Sequence, residues 1–212
     1  MIEKVAHQIE EKFFGEGTGH DWYHIERVWK TAKHIAVKEG ADSEITQLGA
    51  LLHDIADHKF HDNADELAET STREILSDAG YTDEIIEKVL HIVHNCSFKG
   101  GVGENKMKTL EGYIVQDADR LDAIGAIGIA RTFAYGGKKG NMIYDPKVKP
   151  QEYETAEAYK NSKGHTINHF YEKLLKLKDL MNTETGKELA TQRHQYLEGF
   201  LNQFYKEWNS SY

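Results

Sequence analysis

His53 and Asp54 stand side by side at the end of the apolar run Gly49-Ala-Leu-Leu-His-Asp-Ile-Ala-Asp57. An imidazole nitrogen and a carboxylate oxygen both bind divalent cations, and an ordinary core helix gains nothing from polar groups there. Asp57 follows one helical turn later. His24 lies upstream, with His20 one turn before it, and Asp119 and Asp122 lie downstream. The second acidic group sits in Val115-Gln-Asp-Ala-Asp-Arg-Leu-Asp122, a polar run inside an otherwise apolar helical stretch. Burying such a run is costly unless its charge is compensated, and a divalent cation compensates it.

Two imidazoles and two carboxylates make a mixed nitrogen and oxygen set with a formal charge of about −2, leaving about two positions of an octahedral shell open. Such a set favours Mn²⁺, with Mg²⁺, Co²⁺, Ni²⁺ and Fe²⁺ also suited, over a closed structural zinc site rich in cysteine. The open positions would take a water of lowered pKa and a phosphate oxygen. Each part alone is weak, because a lone histidine is more often packed or solvated than ligating. The signal is the combination, in the order His24, His53-Asp54, Asp119 or Asp122. Asp117 points away from Asp119 and reads as a surface or capping charge.

Helices must position these groups, and nearly the whole chain has the helical period. Ile2, Val5, Ile9 and Phe13 make one stripe over residues 2–14. A glycine-rich break follows at 15–19. A second helix runs from about Asp21 to Glu39 and stops at Gly40. Asp42 or Ser43 opens a third, which carries His53-Asp54 near its end. A fourth spans 64–79, and Thr82 caps a fifth that reaches about His94. After Gly100-Gly-Val-Gly103, one long helix is expected from about Lys108 to Tyr135, apolar on nearly all sides around Ala123–Ala130 and therefore central and buried. Residues 136–150 read as a loop whose lysines could cover an anion, or as a plain surface loop. Two amphipathic helices, 151–181 and 184–208, close the chain. The expected class is all-α, a helical bundle of a single domain over residues 1–212, with its core at about 20–135 and the C-terminal helices of 151–208 packed on it.

The 212 residues suffice for a sizeable core. A net charge of −9 argues against broad nucleic-acid binding, which needs a basic face. It leaves room for a small anionic substrate held by a metal and local cations. A single cysteine, Cys96, precludes an internal disulfide and fits a reducing compartment. The N-terminus does not resemble a signal peptide, and no apolar stretch reaches the roughly 20 residues of a membrane span. A cytoplasmic protein is expected, with a homodimer as a further candidate assembly.

The order His24, His53-Asp54, Asp119 resembles the HD superfamily of metal-dependent phosphohydrolases. Gly49-Ala-Leu-Leu-His-Asp-Ile is similar to its signature helix, and Gln116-Asp-Ala-Asp-Arg-Leu-Asp to its Ala-Asp segment. The likeness covers residues 20–135. With His91-Ile-Val-His94 and Asp119-Arg-Leu-Asp-Ala-Ile-Gly, the chain resembles a bacterial subgroup thought to be nucleotide pyrophosphohydrolases. The resemblance implies an HD-domain bundle and one divalent metal on His24, His53, Asp54 and Asp119, with Asp122 the second choice for the fourth ligand. It also implies that Asp57 helps position or deprotonate the attacking water, against the plainer alternative of a surface salt bridge.

His91, His94, Lys99, Arg120, Arg131 and Asp122 are the candidate substrate groups. His91 and His94 could instead be solvated, or could serve a second metal. Arg120 could form a structural ion pair, and Arg131 would be costly to bury unpaired. His58 and His61 read as solvated or phosphate-facing. Lys138, Lys139, Lys163 and His165 are weaker candidates that depend on how the late segments fold. Tyr135, Tyr144 or Trp22 could stack on a base, although a tryptophan at Trp22 is more often core. The implied reaction is hydrolysis of a nucleoside triphosphate to the monophosphate and pyrophosphate. The alternatives are a nucleotidase, a cyclic-nucleotide phosphodiesterase, an oxygenase on two irons, and a non-catalytic nucleotide sensor.

Overall fold

Asp21 shows how locally the fold begins: its carboxylate accepts the backbone N–H of His24 at 2.8 Å, closing the first turn of a helix. That helix belongs to a computed structural model of the chain, which describes residues 1–15, 21–55, 64–96, 105–152 and 164–211. Among these residues there are nine α-helices and no strand. They form two compact units, one of residues up to Asp119 and the other of residues from Arg120 on.

The first unit holds α1 (Ile2–Phe13), α2 (Trp22–Glu39), α3 (Ser43–Leu52), α4 (Ala64–Asp78), α5 (Asp83–Cys96) and most of α6 (Leu110–Asp122). Helix α2 ends at Gly40, whose φ of 70° is the left-handed conformation that glycine adopts without strain. Asp42 then caps α3 by accepting from the N–H groups of Glu44 and Ile45. Helix α3 packs on α1, α2 and α5. It is buried on every side from Ile45 to Leu52, so its sequence is apolar almost without interruption. Gly49 permits close approach to α5: a Cβ there would lie 2.9 Å from Ile92 Cδ1. Val5, Ile9, Ile25, Leu48, Leu51, Leu76, Ile86 and Val89 fill the core between these helices.

The second unit holds α7 (Gly125–Lys138), α8 (Thr166–Glu172), a 3₁₀ helix (Leu174–Leu180) and α9 (Glu184–Trp208). Helix α7 packs on α8 and α9. Phe170 stacks on Phe200 at 5.6 Å, and Tyr144 is ringed by His165, Phe204, Tyr205 and Trp208.

Four sequence expectations are corrected here. The helix expected from Lys108 to Tyr135 is two helices. Ile124 is extended and Gly125 left-handed, with φ of 75°, and the chain turns between α6 and α7. Nor is 123–130 buried all round, for Ala126, Ile127 and Ala130 are exposed. Its small residues serve close backbone approach instead: a Cβ on Gly128 would lie 2.2 Å from the Ala123 carbonyl oxygen. Residues 151–181 do not form one helix. Gln151 and Glu152 are non-helical, and the stretch after 163 divides into α8 and the 3₁₀ helix. The loop expected at 136–150 begins only after α7 ends at Lys138.

Candidate metal centre

Both histidines are held by their own helices. His24 lies in the first turn of α2, fixed by the Asp21 cap, and is 1% exposed. His53 does not lie within α3, as expected, but caps its end, and Asp54 occupies the turn beyond. His53 keeps helical backbone angles, φ −56° and ψ −31°, so the two side chains leave the chain about 100° apart and meet at a point beside the helix end. His53 Nδ1 lies 2.7 Å from the Ala50 carbonyl, one of the last carbonyls of α3 that lack an intrahelical donor. A carbonyl can only accept, so Nδ1 donates, and in the neutral ring Nε2 then presents its lone pair.

Four side chains converge. His24 Nε2 lies 3.4 Å from Asp54 Oδ2 and 3.5 Å from Asp119 Oδ1, and His53 Nε2 lies 3.5 Å and 4.0 Å from the same two oxygens. His24, His53 and Asp119 each offer one ligand atom within 4.8 Å of the others. Two donors about 2.1 Å from a shared ion stand about 3.0 Å apart at right angles and about 4.2 Å apart when opposed. The four nitrogen–oxygen separations fall in that window. His53 Nε2 is buried and has no hydrogen-bond partner among the described residues. No lysine or arginine among them pairs with Asp119. A buried acceptor facing two carboxylates needs a cation, so the donor set fits a divalent ion.

Asp119 is thus the acidic residue from α6 in this cluster. Asp122, the other choice, is 4% exposed and takes Arg131 Nη1 on Oδ2 at 2.6 Å. Arg193, which donates to the Leu121 carbonyl, lends a second positive charge: burial lowers its pKa and Asp122 raises it. Arg131, expected at substrate, is therefore in a structural ion pair, and Arg120 donates to the Leu180 carbonyl. Asp117 is not at the surface but completely buried.

His91 and His94 lie on α5. His91 Nε2 is buried without a hydrogen-bond partner among the described residues, while His94 Nε2 stands 4.0 Å from Glu69. Lys139 lies over the Tyr135 ring at 5.7 Å. Trp22 is core. Tyr144 sits among aromatic rings, and His165 caps α8 by accepting from the Asn168 N–H. Asp57, Lys99, His20, His58, His61 and Lys163 lie outside the described residues.

Sequence reasoning missed a group of amides. Gln116 donates to the Asn95 carbonyl at 2.8 Å and exchanges hydrogen bonds with Asn105 at 3.1 Å in both directions. Three scattered amides carry no periodic signal that could have united them.

The model of the HD domain family matches residues 21–124. YpgQ of Bacillus subtilis is 38% identical over 208 residues, 98% of this chain and 93% of that protein. A crystal structure described as an HD-superfamily hydrolase from Bacillus thuringiensis is 44% identical, with a TM-score of 0.79 over 99% of this chain and 97% of its own. The crystal structure of B. subtilis YpgQ in complex with ADP is 35% identical, with a TM-score of 0.78 over 98% of this chain and 97% of its own.

Proposed function

Because the chain belongs to the HD superfamily of hydrolases, we propose that it is a metal-dependent phosphohydrolase acting on a nucleotide, releasing pyrophosphate from a nucleoside triphosphate. The observation that carries the metal-dependent part is the meeting of His24, His53, Asp54 and Asp119, with an unpartnered buried nitrogen at its centre. The nucleotide part is supported by the ADP bound to the related YpgQ. The pyrophosphate product rests on the resemblance of His91-Ile-Val-His94 and Asp119-Arg-Leu-Asp-Ala-Ile-Gly to the pyrophosphohydrolase subgroup.

A bound divalent ion, Mn²⁺ by preference, supplies polarisation of a phosphate oxygen and acidifies a water. The chain's own residues do the rest. The Ala50 carbonyl holds the His53 ring in the tautomer that leaves Nε2 basic. Burial of both imidazoles keeps bulk water off the nitrogen side. Asp54 and Asp119 are 16% and 29% exposed, so the carboxylate side is the one open to substrate. On the family resemblance, Asp57 is assigned to help position or deprotonate the attacking water. The phosphorus–oxygen bond between the α-phosphate and the pyrophosphate breaks, water supplies the new oxygen, and pyrophosphate leaves.

The test is a panel of nucleoside tri-, di-, mono- and cyclic phosphates with Mn²⁺, with the phosphate product identified. Pyrophosphate from triphosphates is the expected result, and Asp57→Ala should lower turnover while keeping the metal. Orthophosphate from monophosphates would replace this reading with a nucleotidase. Tight binding without turnover would replace it with a sensor.

A further inference from the structure

Asp119 depends on the orientation of α6, and one buried residue on that helix has the means to set it. Gln116 lies three residues before Asp119, about 60° away around the axis, and is 3% exposed. Its Nε2 uses one hydrogen on the Asn95 carbonyl at 2.8 Å and the other on Asn105 Oδ1 at 3.1 Å. Its Oε1 accepts from Asn105 Nδ2 at 3.1 Å. Asn95 is the penultimate residue of α5, so its carbonyl is among the four that the helix itself leaves without a donor. Gln116 supplies that donor from a neighbouring helix. Asn95 in turn donates to the His91 carbonyl at 2.8 Å, and Asn105 Oδ1 takes the Met107 N–H at 3.1 Å. Downstream, a Cβ on Gly112 would lie 2.0 Å from Met107 Sδ, and Tyr113 Oη donates to the Met107 carbonyl. The segment Asn105–Met107 is therefore laid along α6, and Gln116 ties it to the end of α5.

We propose that Gln116 is a positioning residue for Asp119: it fixes the rotation of α6 so that the carboxylate meets His24 and His53. The proposal rests on the metal-centre reading above. A side-chain oxygen stands about 6 Å from a helix axis, so a turn of about 10° displaces it by about 1 Å. Asp119 Oδ1 is already 4.0 Å from His53 Nε2, near the widest separation that two ligands of one ion allow. An error of about 1 Å at such a centre is worth about 100-fold in rate.

Gln116→Met keeps the volume and removes the donors, whereas Gln116→Glu keeps the shape and turns a donor into an acceptor facing two oxygens. Each is titrated with Mn²⁺ by the loss of the free-ion EPR signal, beside Asp54→Asn and the core variant Ile9→Val. The expected result is Mn²⁺ affinity lowered at least tenfold in a Gln116 variant with wild-type helical circular dichroism, and unchanged in Ile9→Val. Wild-type affinity in a folded Gln116 variant overturns the proposal, whatever its melting temperature. If neither variant folds, Gln116 is a determinant of the fold and the proposal also fails. Wild-type affinity in Asp54→Asn overturns the metal-centre reading instead.

Discussion

Asp119 and Asp122 sit one turn apart on α6, yet their surroundings are opposite. In the first unit, Asp119 faces two imidazoles, with no lysine or arginine paired to it among the described residues. In the second, Asp122 is almost fully buried and held by Arg131, with the charge of Arg193 close by. The same residue type is paired with an arginine in one place and faces two imidazoles, where we propose a metal, in the other. A carboxylate pair completed internally is a structural device, because both charges must be matched for the fold to tolerate them. A carboxylate with no lysine or arginine paired to it among the described residues, beside two buried imidazoles, is the arrangement that the proposed metal centre requires. The distinction between site and scaffold thus lies in where the compensating charge comes from.

The contrast is broken most directly at Asp54. Asp54→Asn should bring turnover below detection and abolish Mn²⁺ binding with helical circular dichroism unchanged. In the wild type, Mn²⁺ at 100 times its dissociation constant should add about 2.7 kcal/mol, or about 5–10 °C in melting temperature for a chain of this size. EDTA should reverse that gain, and Asp54→Asn should lack it. A full thermal response in the variant would mean that the metal binds elsewhere.

Asp122 should respond in stability. Asp122→Ala strands the Arg131 guanidinium, which is 28% exposed, and should cost about 2–4 kcal/mol, read as a lower urea midpoint. Replacing both residues by leucine should recover part of the loss. If Asp122→Ala instead weakened Mn²⁺ binding as strongly as Asp54→Asn, the division between the two aspartates would collapse.

The smallest effect concerns pH in the second unit. Burial, with the neighbouring charge of Lys173, pushes His169 down to about 3. The unfolded chain takes up that proton near pH 6.5, and the folded chain resists until about 3. This contribution to stability is therefore complete above pH 6.5 and is lost as pH falls through that window. Urea midpoints of His169→Gln should fall less steeply than wild type between pH 6.5 and 4, with EDTA present throughout. Parallel slopes would show that His169 does not contribute.

Much of this was legible in the sequence where the cause is local. Asp21, Gly40 and Asp42 mark helix ends by short-range hydrogen bonds and backbone conformation, and the apolar stripes place α1 to α5. His24, His53, Asp54 and Asp119 could be gathered because metal-binding types recur at helix ends in one order. The α6–α7 break was not legible, because alanine and glycine are equally suited to a buried helix and to close backbone contact. Arg131 could not be assigned to Asp122 while residues 108–135 were taken as one straight helix. The burial of Asp117 and the amide group around Gln116 depend on packing between distant segments, which no periodicity announces.

The Asp21 cap has a consequence in time. The His24 backbone is capped by a residue three positions away, so a growing chain can make that contact as soon as one helical turn forms. By the proposal above, Asp119 depends on groups as far off as Asn95, a contact that requires α5 and α6 to meet. If Gln116 sets α6 as proposed, the centre joins a local half to a tertiary half, and Asp119 is the member whose position rests on a contact between helices.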